Sequence, residues 1–460
     1  MWSPANILLN RLRRMLFRLG AFAAVMGSLL AINVYGDYNF FIVTCVVGAV
    51  YIIFGASIEK WCEKNILYSK SVNVPSRDLH DQRRYKTYPS ANANSWYHFV
   101  DSDALKNEGV IEFRALGRVF VLWRDSNGKP VCQDAFCIHQ GANLGVGGVV
   151  EDNCIVCPFH KWKFDSEGTV TEIPYLKDPT GCSGLKNRKQ KTYPCMDWNG
   201  LLLVYFHVDN KDPEFYPPEY VTEEFKKDNW QPHMKWDVGF FTFSPVDWVD
   251  QAGDHAHFQT LHADFMIPWT NLRFPDWFYR LIPVGICHTC ITYRGDDKEW
   301  AEEVKNTGWG AVGKHLLFFT DLAGLTWKRK PMLTTLSPTK EMFVGPGMIL
   351  FHIPFTIGTI KVFVTTTPVD GGSILRVRTW VDGRVVRNPL IKALAVVLTG
   401  ISASQLNADV SILENKIRLR KPLIQPFDGP YNRVNTWLKQ FYSESSSTNG
   451  YSCDAYKNDW

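Results

Sequence analysis

This 460-residue chain has little excess charge and few cysteines. Its net charge at pH 7 is only +4, which is far from the strongly basic balance of nucleic-acid-binding proteins, so we expect no nucleic-acid partner. The 11 cysteines form an odd set without the dense, regular spacing of a disulfide scaffold. We therefore expect a reduced, cytosol-facing protein in which some cysteines are available to bind metal.

Two long apolar runs lie near the N-terminus, at residues 19–35 and 38–58. The second contains no charged residue and is long enough to span a bilayer, whereas the first is at the short end of the range of about 17–25 residues. We favour a transmembrane helical hairpin. A single anchor and a cleaved signal peptide remain open alternatives.

Basic residues such as Arg18 and Lys60 flank both outer ends, which predicts that the catalytic part faces the cytosol. The expected location is the membrane of the endoplasmic reticulum.

The patterns of apolar residues divide the rest of the chain into two domains. Short alternating apolar runs separated by turn pairs such as Asn199-Gly200 predict a small antiparallel β domain. Beyond it, helical stretches around 254–265 and 389–419 mix with strand-like ones, which predicts an α+β domain. The predicted organisation is a membrane anchor (1–60), a linker (61–94), the β domain (95–208), the α+β domain (209–442) and a disordered tail (443–460).

The strongest motif in the chain is a pair of Cys-plus-His turns. Cys137-Ile-His139 is followed after seventeen residues by Cys157-Pro-Phe-His160. Four such ligands suit a Rieske [2Fe–2S] cluster, in which two thiolates hold one iron and two imidazoles hold the other. A zinc site uses the same ligand types and stays an alternative, although His139 lies awkwardly close to Cys137 for one tetrahedral ion.

Two further residues fit loops that fold closely around a cluster. Gly141 tolerates backbone conformations that other residues avoid, and Pro158 makes the second turn rigid. We therefore expect both residues to shape the cofactor-binding loops.

A second metal motif, Asp254-x2-His257-x4-His262, follows in the α+β domain. On a helix-like stretch the two histidines lie near one face, and two imidazoles with one carboxylate form the facial triad that suits non-haem Fe(II). His255 breaks the spacing and is interpreted as a bystander or as a neighbour of the ligands. The carboxylate has to come from elsewhere. The best candidate is Asp409, with Glu414 as its rival.

These motifs resemble known families. Residues 96–205 resemble the Rieske domain of the ring-hydroxylating oxygenases, except that Lys161 stands where glycine is usual. The stretch from Asp409 to Glu414-Asn-Lys resembles that of steroid-type Rieske oxygenases, although Asp250-Gln251 stands where Glu-Asn is common. Residues 20–440 are similar to the animal cholesterol 7-desaturases of the Neverland type.

The resemblance has several implications. It implies a helix-grip, START-like catalytic domain in which Asp409 completes the iron triad. It also implies a head-to-tail homotrimer. There Asp254 would bridge a triad histidine and a Rieske histidine of the neighbouring subunit. It also implies conversion of cholesterol to 7-dehydrocholesterol in steroid hormone biosynthesis. The reaction would use O2 and electrons from NAD(P)H. A separate reductase, ferredoxin or cytochrome-type partner would deliver the electrons, which would pass from the Rieske cluster to the mononuclear Fe(II).

Two other functions remain open. One is a Rieske oxygenase that hydroxylates or demethylates another hydrophobic substrate, and the other is a membrane electron carrier without catalytic iron. Two weaker motifs are discounted. The segment 308–314 matches a nucleotide-binding glycine pattern in the wrong context, and Cys287-His-Thr-Cys290 is interpreted as a pair of core cysteines.

Overall fold

The computed structural model describes a β-rich chain with five helices in its described part. The described residues are 92–177, 185, 188–267, 273–274, 279–280, 283–293, 315–355, 358–382, 389–416, 418–419 and 421–447. Both apolar runs of the predicted anchor lie outside them, as does the discounted segment 308–314. Across the described residues, no helix combines the length and the apolar character that crossing a membrane requires.

The N-terminal domain consists of three small antiparallel sheets. The first sheet has the order β1-β11-β10, the second β2-β3-β4-β9 and the third β5-β6-β7-β8. The strands are β1 (Ser95–Asp101), β2 (Val110–Ala115), β3 (Arg118–Arg124), β4 (Pro130–Asp134), β5 (Val149–Glu151), β6 (Cys154–Val156), β7 (Lys163–Phe164), β8 (Val170–Glu172), β9 (Thr192–Tyr193), β10 (Cys195–Trp198) and β11 (Leu201–Phe206).

One predicted hairpin forms as its sequence indicates. Asn199 and Gly200 have φ values of 49° and 83°, the positive values that a two-residue type I′ turn requires at both central positions. The turn joins β10 to β11, with Trp198 opposite Leu201.

The strand β11 is buried on both faces. Leu201, Leu203 and Tyr205 pack into one core, which also contains residues of the catalytic sheet, whereas Leu202 and Val204 pack into the core of the N-terminal domain. Because side chains alternate along a strand, the continuous apolar run of β11 joins the two domains.

The catalytic domain is one eight-stranded antiparallel sheet with helices. The strand order is β12-β19-β18-β17-β16-β14-β13, and β15 pairs with β14. The strands are β12 (Gln231–Phe241), β13 (Val284–Tyr293), β14 (Leu316–Trp327), β15 (Lys330–Pro331), β16 (Ser337–Val344), β17 (Met348–Phe355), β18 (Gly358–Val369) and β19 (Gly372–Val381). The helices are α1 (Glu219–Lys227), α2 (Pro245–Ala252), α3 (Ala256–Leu261), α4 (Pro389–Leu413) and α5 (Tyr431–Lys439).

The two faces of this sheet have different neighbours. Leu317, Phe319 and Phe343 share a buried core with Leu406 and Val410 of α4. The alternate side chains, among them those of Phe318 and Met342, pack with β11. The α+β expectation is therefore met by a sheet with α4 on one face and the N-terminal domain on the other, where Val221 and Phe225 of α1 also pack.

Polar contacts between β1 and the catalytic sheet supplement this packing. Asp101 accepts a hydrogen bond from Arg378 at 2.6 Å, and His98 Nδ1 lies 2.9 Å from the hydroxyl of Thr365. Burial lowers the pKa of His98 to about 4, so this histidine is neutral at pH 7. The paired charges and the hydrogen bond to Thr365 thus satisfy most of the polar atoms here, while His98 Nε2 lies 3.4 Å from Asp101 Oδ1.

The structure corrects two ends of the predicted organisation. The last linker residues are packed, because Ala93 is only 2% exposed and the Asn94 N–H donates to the carbonyl of Phe441 at 2.8 Å. The first residues of the predicted disordered tail are ordered, since Glu444–Ser447 form a 3-10 turn. In both places side-chain contacts with distant residues outweigh a polar local composition.

Candidate metal centres

The four predicted cluster ligands lie on two loops with the same backbone geometry. In each loop the cysteine N–H donates to the carbonyl five residues later, at 2.8 Å for Cys137 and 2.9 Å for Cys157. The cysteine carbonyl accepts from the residue four positions later, Gly141 at 2.8 Å and Lys161 at 3.1 Å. Two matching loops thus present the two Cys-plus-His pairs, although the histidine spacing differs between them.

The backbone of these loops explains the glycine preference noted in the sequence. Gly141 has φ +73° and Lys161 has φ +61°, a region that costs a residue with a side chain about 1–2 kcal/mol. A Cβ atom at Gly141 would meet nothing within 4 Å, so conformation rather than space favours glycine there. At Gly147 a Cβ atom would lie 3.5 Å from that of Pro158, so Pro158 of the second loop packs beside the backbone of Gly147.

The thiols and imidazoles of this site have different surroundings. Cys137 and Cys157 are 3% and 2% exposed, and burial raises the pKa of the Cys137 thiol to about 11. A metal has to displace this proton when it binds. The rings of His139 and His160 lie 4.7 Å apart between centroids, and His139 stacks on Trp162 at 4.4 Å. Buried thiolates and half-buried imidazoles are the donor set of a Rieske cluster.

The predicted mononuclear triad comes together in the catalytic domain. The Asp409 carboxylate on α4 lies 2.9 Å from His262 Nε2 and 4.0 Å from His257 Nε2. Burial lowers the pKa of His257. For His262 burial is the largest single influence and acts in the same direction, but the charge and hydrogen bond of Asp409 and the hydrogen bond of Gln405 together outweigh it and raise the pKa. Two imidazoles and one carboxylate with converging atoms fit a ferrous ion with open positions.

The second nitrogen of each imidazole is also engaged. His257 Nδ1 donates to the backbone carbonyl of Asp254, and His262 Nδ1 donates to the side-chain oxygen of Gln405 at 2.8 Å. Because Nδ1 carries the proton in both rings, the Nε2 lone pairs point to the shared site. Partners of this kind fix the orientation of metal ligands.

Sequence patterns did not predict the roles of two residues that contact the triad. Gln251 donates to the Asp409 carboxylate at 2.6 Å, whereas its position was noted only as a departure from a family pattern. Gln405 lies one helical turn before Asp409 and was not among the predicted site residues. Its spacing of four residues from Asp409 was the available signal, because residues at that spacing share a helix face.

The remaining sequence candidates have other contacts. The Asp254 carboxylate accepts from the N–H of Ala256, the first residue of α3, at 3.2 Å, while its carbonyl contacts His257. Glu414, the rival to Asp409, accepts from the N–H groups of Thr242 and Phe243. His255 packs against Phe319, and burial lowers its pKa to about 4.

We predict that Lys161→Gly stabilises the protein by about 0.5 kcal/mol. Relief of about 1–2 kcal/mol of left-handed strain exceeds the entropic cost of glycine, about 0.5–1 kcal/mol. Chemical denaturation of the cluster-loaded protein measures the difference. Lys161→Ala is the control, because it removes the charge and keeps the strain. Equal stability of Lys161→Gly and Lys161→Ala would contradict the strain argument.

We predict that Gln405→Leu weakens ferrous iron binding by about 10–100-fold, because His262 loses the partner that orients it. Iron titration with the Rieske cluster loaded measures this affinity. Gln259→Leu on α3 is the matched control, since that exposed amide contacts only the carbonyl of His288. If both variants bind iron like the unmodified protein, the orienting role of Gln405 is wrong.

Comparison with known families agrees with both sites. Residues 95–194 match the Rieske [2Fe-2S] domain family. Residues 204–442, more than half of the chain, match the 3-Ketosteroid 9alpha-hydroxylase C-terminal domain family. The Caenorhabditis elegans cholesterol 7-desaturase is 29% identical over 384 residues, which are 79% of this chain and 80% of the relative.

A bacterial protein and a solved structure extend the comparison. The oxygenase component of 3-ketosteroid-9-alpha-monooxygenase from Rhodococcus rhodochrous is 24% identical over 360 residues, 76% of this chain and 82% of the relative. The crystal structure of dicamba monooxygenase shares the fold with a TM-score of 0.51 at 15% identity, covering 77% of this chain and 98% of that one. The predicted enzyme class is thereby confirmed: the chain belongs to the Rieske non-haem iron oxygenases, oxidoreductases that use a [2Fe–2S] cluster and Fe(2+).

Proposed function

We propose that this oxygenase is a cholesterol 7-desaturase, which converts cholesterol to 7-dehydrocholesterol with O2 and electrons from NAD(P)H delivered by a separate reductase. The observation that carries the proposal is the triad of His257, His262 and Asp409 in a chain similar over 79% of its length to a cholesterol 7-desaturase. The product belongs to steroid hormone biosynthesis.

The described residues around the triad suit O2 chemistry on an apolar molecule. A ferrous ion held by two imidazoles and a carboxylate supplies open positions for O2. Gln251 and Gln405 hold Asp409 and His262 in place. The ring of Phe258 packs 4.2 Å from that of His257 and 5.4 Å from that of His262, between centroids. This aromatic neighbour gives the ligands an apolar side.

Hydroxylation or demethylation of another hydrophobic substrate is the second candidate function. It is favoured by the match of residues 204–442 to a hydroxylase domain family. The metal ligands would be the same in both cases. The outcome depends on which carbon the protein holds beside the iron, because orientation decides between competing reactions.

We also propose that the protein works as a head-to-tail homotrimer, in which electrons pass from the cluster of one subunit to the mononuclear iron of the next. The support is an exposed apolar patch around the cluster loops, defined as Phe136, Ile138, Val146, Phe159 and Tyr175, with 41–63% exposure in the single chain. A patch of this kind typically marks a protein contact. The Asp254 carboxylate is our candidate for the bridge between the two centres.

A membrane anchor completes the proposal. Residues 19–35 and 38–58 would form a hairpin in the membrane of the endoplasmic reticulum and leave the catalytic part in the cytosol. A sterol partitions into the bilayer, so an anchor holds the pocket near its substrate.

The desaturase proposal predicts a new sterol. Cells without endogenous 7-dehydrocholesterol, fed cholesterol and expressing this chain, should accumulate 7-dehydrocholesterol, measured by mass spectrometry. The control His257→Ala removes an iron ligand and should abolish the product. A hydroxysterol instead would favour the second function, and no product from cluster-loaded protein would contradict desaturation of cholesterol.

The trimer proposal predicts complementation between two inactive variants. Cys137→Ser lacks the cluster and Asp409→Ala lacks the mononuclear iron. Co-assembled in equal amounts, they should recover about a quarter of the normal turnover, because only one junction in four pairs a cluster with an intact iron site. Each variant alone should stay inactive. No recovery in a verified mixed trimer would place electron transfer within one chain.

The role of Asp254 can be tested with a variant that keeps its hydrogen bond to the N–H of Ala256. The side-chain oxygen of Asp254→Asn can still accept this bond but carries no charge, so we expect both metals to remain bound and single-turnover reduction of the mononuclear site to slow. Asp254→Ala should slow it at least as much. Unchanged single-turnover rates in both variants would sink the bridging role.

The anchor proposal predicts a topology. In sealed microsomes, protease added outside should digest residues 90–460, because they face the cytosol. Protection of that segment until detergent is added would show the opposite orientation.

A further inference from the structure

A cluster of three polar side chains lies on the helix-covered face of the catalytic sheet. Leu317 and Phe319 of β14 belong to the core beneath α4, so Asp321, two residues further, faces the same side. Glu341 stands opposite Phe319 on β16. His288 stands opposite Ala323 on β13. The three side chains, which we call the His288 cluster, therefore share one face across three neighbouring strands.

These side chains are buried with incomplete hydrogen bonding. Asp321 is 2% exposed and Glu341 is 6% exposed, and the His288 side chain is 10% exposed. His288 Nδ1 lies 2.5 Å from Asp321 Oδ2. Within the described part of the chain, His288 Nε2 and Asp321 Oδ1 are buried without a hydrogen-bond partner. Buried polar atoms are nearly always satisfied, so two such atoms in one cluster indicate a ligand.

The His288 cluster is next to the mononuclear site. The ring of His288 lies 5.0 Å from that of Phe258 and 6.4 Å from that of the iron ligand His262, between centroids. A group bound at His288 would therefore belong to the molecule that reacts at the iron.

The chemistry of the cluster narrows the class of ligand. Among the described residues these three do not form a group with ligand atoms within 4.8 Å of one another, so they are not arranged as a metal site. The Asp321 carboxylate would repel an anion. Burial, with Asp321 and Asp409 as further causes, raises the pKa of Glu341 to about 8. At pH 7 Glu341 is then mostly the neutral acid, which can donate a hydrogen bond. These side chains suit a neutral group that can both donate and accept hydrogen bonds.

We propose that the His288 cluster binds the hydroxyl group of an otherwise apolar alcohol and thereby determines which carbon of the substrate lies beside the iron. The inference rests on the proposed sterol substrate, whose only polar group is one hydroxyl. In cholesterol this hydroxyl and carbon 7 lie on neighbouring fused rings, so an anchor beside the iron ligands is in the right region. Because His288 Nδ1 donates to Asp321, its Nε2 is an acceptor, as is Asp321 Oδ1. The hydroxyl proton can therefore satisfy either of these two unpartnered atoms.

The test compares two ligands that differ only in the hydroxyl. Binding of cholesterol and of cholest-5-ene, the same hydrocarbon without the hydroxyl, is measured with the metal-loaded full chain in detergent micelles. The full chain should prefer cholesterol by about 10–100-fold, the usual range for hydrogen bonds that involve a charged group. His288→Phe and Asp321→Asn should lose that preference and bind cholest-5-ene as before. Thr260→Val on α3, whose hydroxyl contacts only its own helix, is the control and should keep it.

Two outcomes would overturn the proposal. One is equal affinity of the full chain for both ligands, and the other is an equal loss of affinity for both in the His288 and Asp321 variants, which would indicate a packing role. Product analysis separates this inference from the desaturase proposal. Preferential binding of cholesterol without 7-dehydrocholesterol supports the hydroxyl site and contradicts the desaturase. Formation of 7-dehydrocholesterol with equal binding of both ligands supports the desaturase and contradicts the hydroxyl site.

Discussion

The approach of the Asp409 carboxylate to two imidazoles is the contact on which the catalytic domain depends. It joins α4 to the segment around α3, and Gln251 on α2 reaches the same carboxylate across 158 residues of sequence. A buried carboxylate is costly unless it is paired or binds a metal. The helices that meet there lie over one face of a continuous antiparallel sheet. The sheet therefore fixes where the ligands meet.

The two iron centres are built on different principles. The cluster loops owe their shape to local backbone geometry, in which matching hydrogen bonds and left-handed residues present two cysteines and two histidines. The mononuclear site owes its shape to tertiary packing, because Asp409 comes from another helix, far along the chain from His257 and His262. The apolar strand β11 holds the two domains together, and the apolar patch around the cluster loops stays exposed in the single chain. This exposed patch is the support for the proposed transfer between subunits.

Local patterns in the sequence predicted local structure well. The Cys-plus-His spacings indicated the cluster type, and Asn199-Gly200 with the short apolar runs around it indicated a turn in an antiparallel β domain. The histidine pair and Asp409 were also recognised, the latter only through resemblance. Contacts that depend on the fold were missed. The amides of Gln251 and Gln405 contact the triad only in the folded chain, and the His288 cluster forms only when the strands pair in register. Asn94 was assigned to a linker for the same reason, since its partners lie more than a hundred residues away.

The most direct test of the account is the iron and sulfide content of the purified chain and of Asp409→Ala. A [2Fe–2S] cluster beside a mononuclear site gives three irons and two sulfides per chain. The account predicts this ratio for the unmodified protein. In Asp409→Ala it predicts two irons, with unchanged sulfide and an unchanged Rieske spectrum. Two irons in the unmodified protein, or a third iron that Asp409→Ala retains, would contradict it.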